Sequence, residues 1–204
     1  IYLINVREEN EKLKERIESL ESHIHQLMEA RYENIRLKKL LAFKSNMSPR
    51  KFMPAQVIGE DSSIWFKTIT INRGSSDGLR AGMAVVATQG VVGQIIETFR
   101  KVSKVMLITD INSAVDGRIQ RTRSRCILEG AGDNKCLLKY IDIHEDVEIG
   151  DLVITSGMSS IFPGGLPLGT VAELKESTEG LFKTAVVNPS VDFDSLQEVL
   201  VVIK

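Results

Sequence analysis

Three histidines, two cysteines, a Thr-Ser-Gly step and one glycine-rich turn are the features of this chain whose residue types could do chemistry. Serine hydrolysis requires a histidine base within hydrogen-bond reach and a carboxylate to orient it. His23 and His25 fall in a helical stretch, while His144 stands among Asp142, Glu145 and Asp146, the composition of an exposed turn. Ser156 lies 12 residues from His144 and reads as part of the same β unit, whereas a triad across a cleft needs members on both sides. Burial of His144 in such a cleft beside a serine would reverse this reading. Two cysteines without companion histidines cannot hold zinc. They flank Gly130-Ala131-Gly132-Asp133, which reads as a hairpin turn, since no G-x-x-x-x-G-K-[ST] phosphate loop occurs. Cys126 and Cys136 either face each other across that hairpin as a disulfide or remain two packed thiols, the second reading being favoured. Arg118, Arg121, Arg123 and Arg125 alternate as if along one side of a strand. RNA binding would add interleaved aromatics for stacking, and aromatics are only 5% of the chain. No catalytic residue, cofactor site or metal site is expected, and no nucleic-acid partner.

The elements that position these residues are a helical rod and an all-β body. Leu3, Val6, Asn10, Leu13, Ile17, Leu20, Ile24 and Leu27 form an unbroken 3-4 repeat. With Leu3 at position a, Asn10, Ile17 and Ile24 also fall at a, and Val6, Leu13, Leu20 and Leu27 at d. β-branched residues at a with leucine at d favour a parallel two-stranded coil. A buried Asn10 finds its partner only when two chains run parallel and in register. Glu9 with Lys14, and Arg16 with Glu21, occupy g and following e positions, where opposite charges meet across such an interface. A stripe two positions wide in seven is narrower than the face of a helix packed on a globular core. These eight residues are therefore the expected homodimer interface. After Leu27, Met28, Tyr32 and Ile35 continue one step displaced, the mark of a stutter.

Composition narrows the function classes. The net charge of -1 gives no general attraction to nucleic acid or anionic membranes. Residues 1–53 hold 11 basic and 8 acidic side chains. The run from Arg36 through Lys38, Lys39, Lys44, Arg50 and Lys51 is best read as a solvated helix end complementing its dipole. No stretch of 18 or more apolar residues spans a bilayer. A chain cut just after a membrane anchor would open as this one does, with Ile1, Tyr2, Leu3 and Ile4 ahead of the first charge.

Beyond Pro49 and Pro54 the pattern changes to short β-branched runs punctuated by glycine, which suggests barrels or a sandwich. Strands are expected at 55–58, 66–72, 83–88, 91–98, 105–109, 125–129, 136–141, 152–155, 170–175, 182–188 and 198–203. Gly82, Val85 and Val86 recur as Gly150, Val153 and Ile154 at an offset of 68 residues, and Gly93 with Ile95 recurs as Gly169 with Val171 after eight extra residues. A duplicated small barrel with a longer loop in the second copy explains both. In that loop Met158, Ile161 and Phe162 either mark a partner contact or tuck under as a plug.

Several segments together resemble the MreC family of bacterial rod shape-determining proteins. They are Glu33 to Phe43, Ala55 to Asp61 with Trp65, the glycines 74, 78 and 82 with Met83, Gly90 to Gly93, Leu107 to Asp110, Gly150 to Gly157, and Phe162-Pro163 through Val171. The resemblance implies a mainly β protein with an N-terminal coiled coil and two small β-barrels in a chymotrypsin-like arrangement. It implies a helix over 1–43, a linker over 44–53, a first barrel over 54–112 joined by a returning C-terminal strand in 194–204, and a second barrel over 113–193. It further implies a non-enzymatic scaffold of cell elongation, anchored in the cell membrane and working on its extracytoplasmic side in peptidoglycan synthesis and rod shape. Its implied partners are the elongation transpeptidase, a penicillin-binding protein, together with MreD and, indirectly, MreB. Two alternatives stand beside it. A periplasmic adaptor of an export system also joins helices to barrels, but inserts its helices as a hairpin within a β domain. The other is a trypsin-like hydrolase with an unrecognised site.

Overall fold

The computed structural model describes residues 2–46, 51–62, 66–175 and 181–203, with the side chains of α1 described at 12, 14, 16–37, 39 and 40. α1 runs Tyr2–Asn46, three residues past the expected end, and forms one of two compact units. The other unit is all β, and contains β1 (Lys51–Ser62), β2 (Lys67–Ile71), β3 (Ala84–Val86), β4 (Val91–Thr98), β5 (Ser103–Leu107), β6 (Ala114–Ile119), β7 (Arg125–Gly130), β8 (Cys136–Asp142), β9 (Leu152–Thr155), β10 (Pro167–Lys175), β11 (Phe182–Pro189) and β12 (Glu198–Ile203). β1 already pairs with β12 from Lys51, so residues 51–53 belong to a strand rather than to a linker.

These strands close two six-stranded antiparallel barrels, ordered β1-β12-β3-β4-β5-β2 and β10-β11-β8-β7-β6-β9. The second barrel uses its strands in the order first, second, third, sixth, fifth, fourth. The first barrel has the same order once β12 is counted as its opening strand. The two are thus one topology, and the chain's C-terminal strand supplies in the first what β6 supplies in the second. Closure leaves no sheet edge to template aggregation. Each interior is filled by inward β-branched and leucine side chains. Ile71, Val85, Ile95 and Leu200 are fully buried in the first barrel, and Ile119, Leu128, Leu138 and Leu168 in the second.

The sequence echo corresponds to equivalent backbone geometry. Gly82 N–H donates to Ile95 O at 2.7 Å and Ile95 N–H to Met83 O at 2.9 Å; Gly150 N–H donates to Val171 O at 2.8 Å and Val171 N–H to Asp151 O at 3.0 Å. Gly82 and Gly150 hold φ of 83° and 95°, a left-handed conformation that costs a residue with a Cβ about 1–2 kcal/mol. A bulge follows in each copy, between Ile95 and Glu97 and between Val171 and Glu173.

Two local expectations change. β6 does not stand among the expected strands. In the structure Gly117 faces the interior, where an added Cβ would sit 3.3 Å from Cys126 Sγ. The arginine run is a hairpin rather than one strand face. Arg118 lies near the end of β6 opposite Arg125, while Arg123 N–H closes the turn onto Ile119 O at a φ of 67°. The cysteines take the favoured reading of two packed thiols. Cys136 pairs across from Gly130 and Cys126 from Gly117, and both thiols are free, buried and pushed up to about 12 by desolvation.

The barrels meet where the segment after β5 runs beneath the β7–β8 hairpin. Gly132 N–H donates to Thr109 O at 3.1 Å, and the Cys136 thiol donates to Ile108 O at 3.4 Å. Gly130 passes so close that a Cβ there would lie 1.9 Å from Asp110 O. The fully buried Asp110 carboxylate accepts from Lys67 N–H at 2.7 Å and Asn112 N–H at 2.8 Å, which fixes this junction.

Candidate partner-binding surfaces

α1 carries the first surface. Ile17, Leu20, Ile24 and Leu27 are 48–70% exposed in the single chain, and Met28, Tyr32, Ile35 and Leu37 extend the exposed series. Each leucine or isoleucine left in water forgoes roughly 1.5–3 kcal/mol of burial, so a regular stripe of them is a strong drive to association. The Leu3, Val6, Asn10 and Leu13 side chains lie outside the described residues.

The second surface begins at the loop joining β9 to β10. Thr155, fully buried, organises it. Its hydroxyl donates to Pro163 O and accepts from Leu166 N–H at 2.9 Å, and its backbone exchanges hydrogen bonds with Gly165 and Leu166. Gly157 crosses Gly164 so tightly that a Cβ would come within 2.8 Å of its Cα. Serine hydroxyls then cap two short turns: Ser156 accepts from Met158 N–H at 3.1 Å, and Ser159 from Ile161 N–H at 3.0 Å. The three apolar residues of the loop therefore separate. Phe162 turns inward at 5% exposure, Ile161 is half-buried, and Met158 projects at 65%. Phe162 thus packs into the core and Met158 stays in solvent.

Beside this loop lies an exposed apolar patch that was not anticipated. Tyr140 sits in β8 with φ of 60°, at a register break opposite Lys183 and Ala185. Its ring meets Phe182 edge-on, with centroids 5.9 Å apart at 75°. Ile143 N–H donates to Leu181 O at 3.1 Å, so Ile143 and Leu181 extend the patch, with Leu181 76% exposed. Four apolar side chains held open by a bulge form the kind of surface that marks a protein contact.

Of the residues weighed for catalysis, His144 lies on an exposed turn, its N–H donating to Asp142 Oδ1 at 2.9 Å. Ser156 spends its hydroxyl as the turn cap already described. Among the described residues Arg121 makes the densest ionic cluster, donating to both oxygens of Asp151 at 2.8 and 2.9 Å and to Asp146 at 2.6 Å. Glu148 N–H adds a bond to Asp151 at 2.9 Å, and the guanidinium holds the Asp151 carboxyl below its usual range. This cluster ties the β6–β7 turn to the entry of β9.

The family profile described as rod shape-determining protein MreC, barrel core, matches residues 57–203. The chain belongs to the MreC family. The cell shape-determining protein MreC of Listeria monocytogenes is 30% identical over 204 residues, covering 98% of this chain and 69% of that protein. A solved structure of an MreC superposes with a TM-score of 0.80 at 28% identity, covering 85% of this chain and 99% of the other. MreC from Helicobacter pylori, solved in complex with penicillin-binding protein PBP2, shares the fold with a TM-score of 0.62 at 18% identity, over 76% of this chain and 99% of that one. As an MreC-family member the chain is a cell shape-determining scaffold. Neither the export adaptor nor the trypsin-like hydrolase is favoured.

Proposed function

We propose that the chain is a non-enzymatic scaffold of the cell-elongation machinery, dimerising through α1 and docking the enzymes of lateral peptidoglycan synthesis on its barrels. The observation that carries this reading is the exposed stripe of Ile17, Leu20, Ile24 and Leu27, whose spacing suits a second identical helix. Asn10 supplies register in that parallel pair. Forty-five helical residues at 1.5 Å each give a rod of about 68 Å. A dimer offers two copies of each barrel surface, which raises effective concentration for further assembly.

The partner proposed for the patch of Tyr140, Ile143, Leu181 and Phe182, with Met158, is the elongation transpeptidase, in line with the PBP2 complex of the Helicobacter protein. MreD, and through it MreB, are the partners proposed on the membrane side. No described helix is long and apolar enough to cross a membrane. In this reading a single-pass anchor holds the protein at the cell membrane, with α1 and the barrels extracytoplasmic.

Sedimentation equilibrium tests the reading directly. The chain should behave as a dimer, and the Leu20→Asp, Ile24→Asp double variant as a monomer whose barrels melt at an unchanged temperature. A wild-type chain that stays monomeric at about 100 μM, where even a modest coiled coil associates, would overturn it.

A further inference from the structure

The outer face of β6, β7 and β8 holds a cleft of about 230 Å³, walled on one side by the loop after β9. Asp116 of β6 pairs across from Ile127 of β7, and with Gly117, Arg125 and Cys126 they line it from two adjacent strands, β8 adding Tyr140. Ser156 N–H donates to Asp116 O at 3.0 Å, drawing the start of the loop against β6 and standing Met158 up as a wall. Tyr140 closes the opposite side, which makes the cleft continuous with the apolar patch through the Tyr140–Phe182 contact.

Size and charge define the occupant. Pockets for small molecules run to roughly 300–1,000 Å³, so this one is too small for a glycan segment or a cofactor and suits one large side chain. Asp116 and Arg125, both exposed on the rim, form no ion pair with any described residue. Tyr140, the bulky residue held at φ of 60°, is strained in a way that clusters at ligand clamps.

We propose that this cleft is an anchor socket, receiving one apolar side chain of leucine or phenylalanine size from a protein partner whose flanking residues place a cation toward Asp116 and an anion toward Arg125. Burying one such anchor in a desolvated pocket concentrates binding energy in a few residues. The inference rests on the transpeptidase reading above and names the contact within it.

The test measures affinity of the full chain for the soluble extracytoplasmic part of the elongation transpeptidase from the same cell, by calorimetry. Ile127→Trp fills the socket and should weaken binding about tenfold or more, Asp116→Lys by a similar factor, and Met158→Ala by about threefold. Leu181→Asp, on the patch outside the socket, serves as comparator, and melting temperature reports folding. Should Ile127→Trp misfold, the exposed Asp116 and Met158 variants decide. Unchanged affinity in those variants, with Leu181→Asp still weakened, would overturn the socket and leave the transpeptidase reading standing. A wild-type chain that does not bind would overturn both.

Discussion

The connection from β3 to β4 in the first barrel takes four residues, 87–90, closed by reciprocal backbone hydrogen bonds between Ala87 and Gly90. The equivalent connection in the second barrel, from β9 to β10, takes eleven, 156–166. Around these loops the barrels match in strand order, in the hydrogen bonds of Gly82 and Gly150, and in the bulges after Ile95 and Val171. What differs is what stands outside the shared frame: a wall carrying Met158, an aromatic bulge at Tyr140, and a carboxylate knot on Arg121. A closed barrel with no free sheet edge tolerates such additions at its connections without loss of its core, and connections are where binding residues usually accumulate.

The largest test of the comparison removes β12. In the first barrel this strand comes from the far end of the chain, whereas β6 is contiguous with the rest of the second barrel. Truncation after Gln197 deletes Val199, Leu200, Val201 and Val202, all buried between β1 and β3. At roughly 1.5–3 kcal/mol each, their loss rivals the whole stability of a domain, about 5–15 kcal/mol. Hydrogen exchange should show protection lost across β1–β5 and kept across β6–β11. Loss in both barrels together would mean that the two fold as one cooperative body and that their resemblance is only geometric.

A smaller test exchanges the matched strand glycines. A Cβ on Gly93 would lie 1.9 Å from Met106 O, and one on Gly169 would lie 2.4 Å from Asn188 O. Both glycines let neighbouring backbones approach at the same point of the same topology. Gly93→Ala and Gly169→Ala should each cost at least the 1–3 kcal/mol typical of overpacking, since backbone cannot swing aside as a side chain can. Urea unfolding would read the two losses. If Gly169→Ala were nearly neutral, the equivalence drawn from the echo would fail at its tightest point.

Much of this frame was visible in the residues. The glycine echo could be read because each glycine answers a local demand, a left-handed turn at 82 and 150 or a close approach at 93 and 169. The helix stripe could be read because its period is local as well. β6 was hidden by Gly117, a poor strand former by local preference, which the barrel places against Cys126, Leu168 and Val153 inside. The Tyr140 patch was hidden for a related reason. Simple alternation from Cys136 and Leu138 would point Tyr140 inward, but the bulge turns it out and brings Ile141 in. Such a switch depends on the register of β11, which no window of sequence around β8 contains.

The finest difference between the barrels concerns pH. Met83 and Asp151 occupy matched positions and use their carbonyls alike, yet only Asp151 carries an ionisable side chain, and it is buried. Its carboxylate faces Arg121, whose guanidinium also meets Asp146 at 2.6 Å and Glu148 at 3.7 Å. The Arg121 hydrogen bonds lower the folded-state pKa of Asp151, so the unfolded chain takes up the proton first. The stabilisation is therefore complete above the unfolded carboxyl value, near about 4, and is lost as pH falls through the lower folded value. Asp151→Asn keeps the shape and removes the charge. Its urea midpoint should lie below wild type at pH 7, with the gap narrowing as pH falls below about 4. The neutral Met83→Gln variant in the first barrel should show a gap that does not change with pH. A gap for Asp151→Asn that stayed constant as the carboxylates titrate would mean that the Arg121 knot contributes no ionisation-linked stability, and that the two barrels differ in binding surface alone.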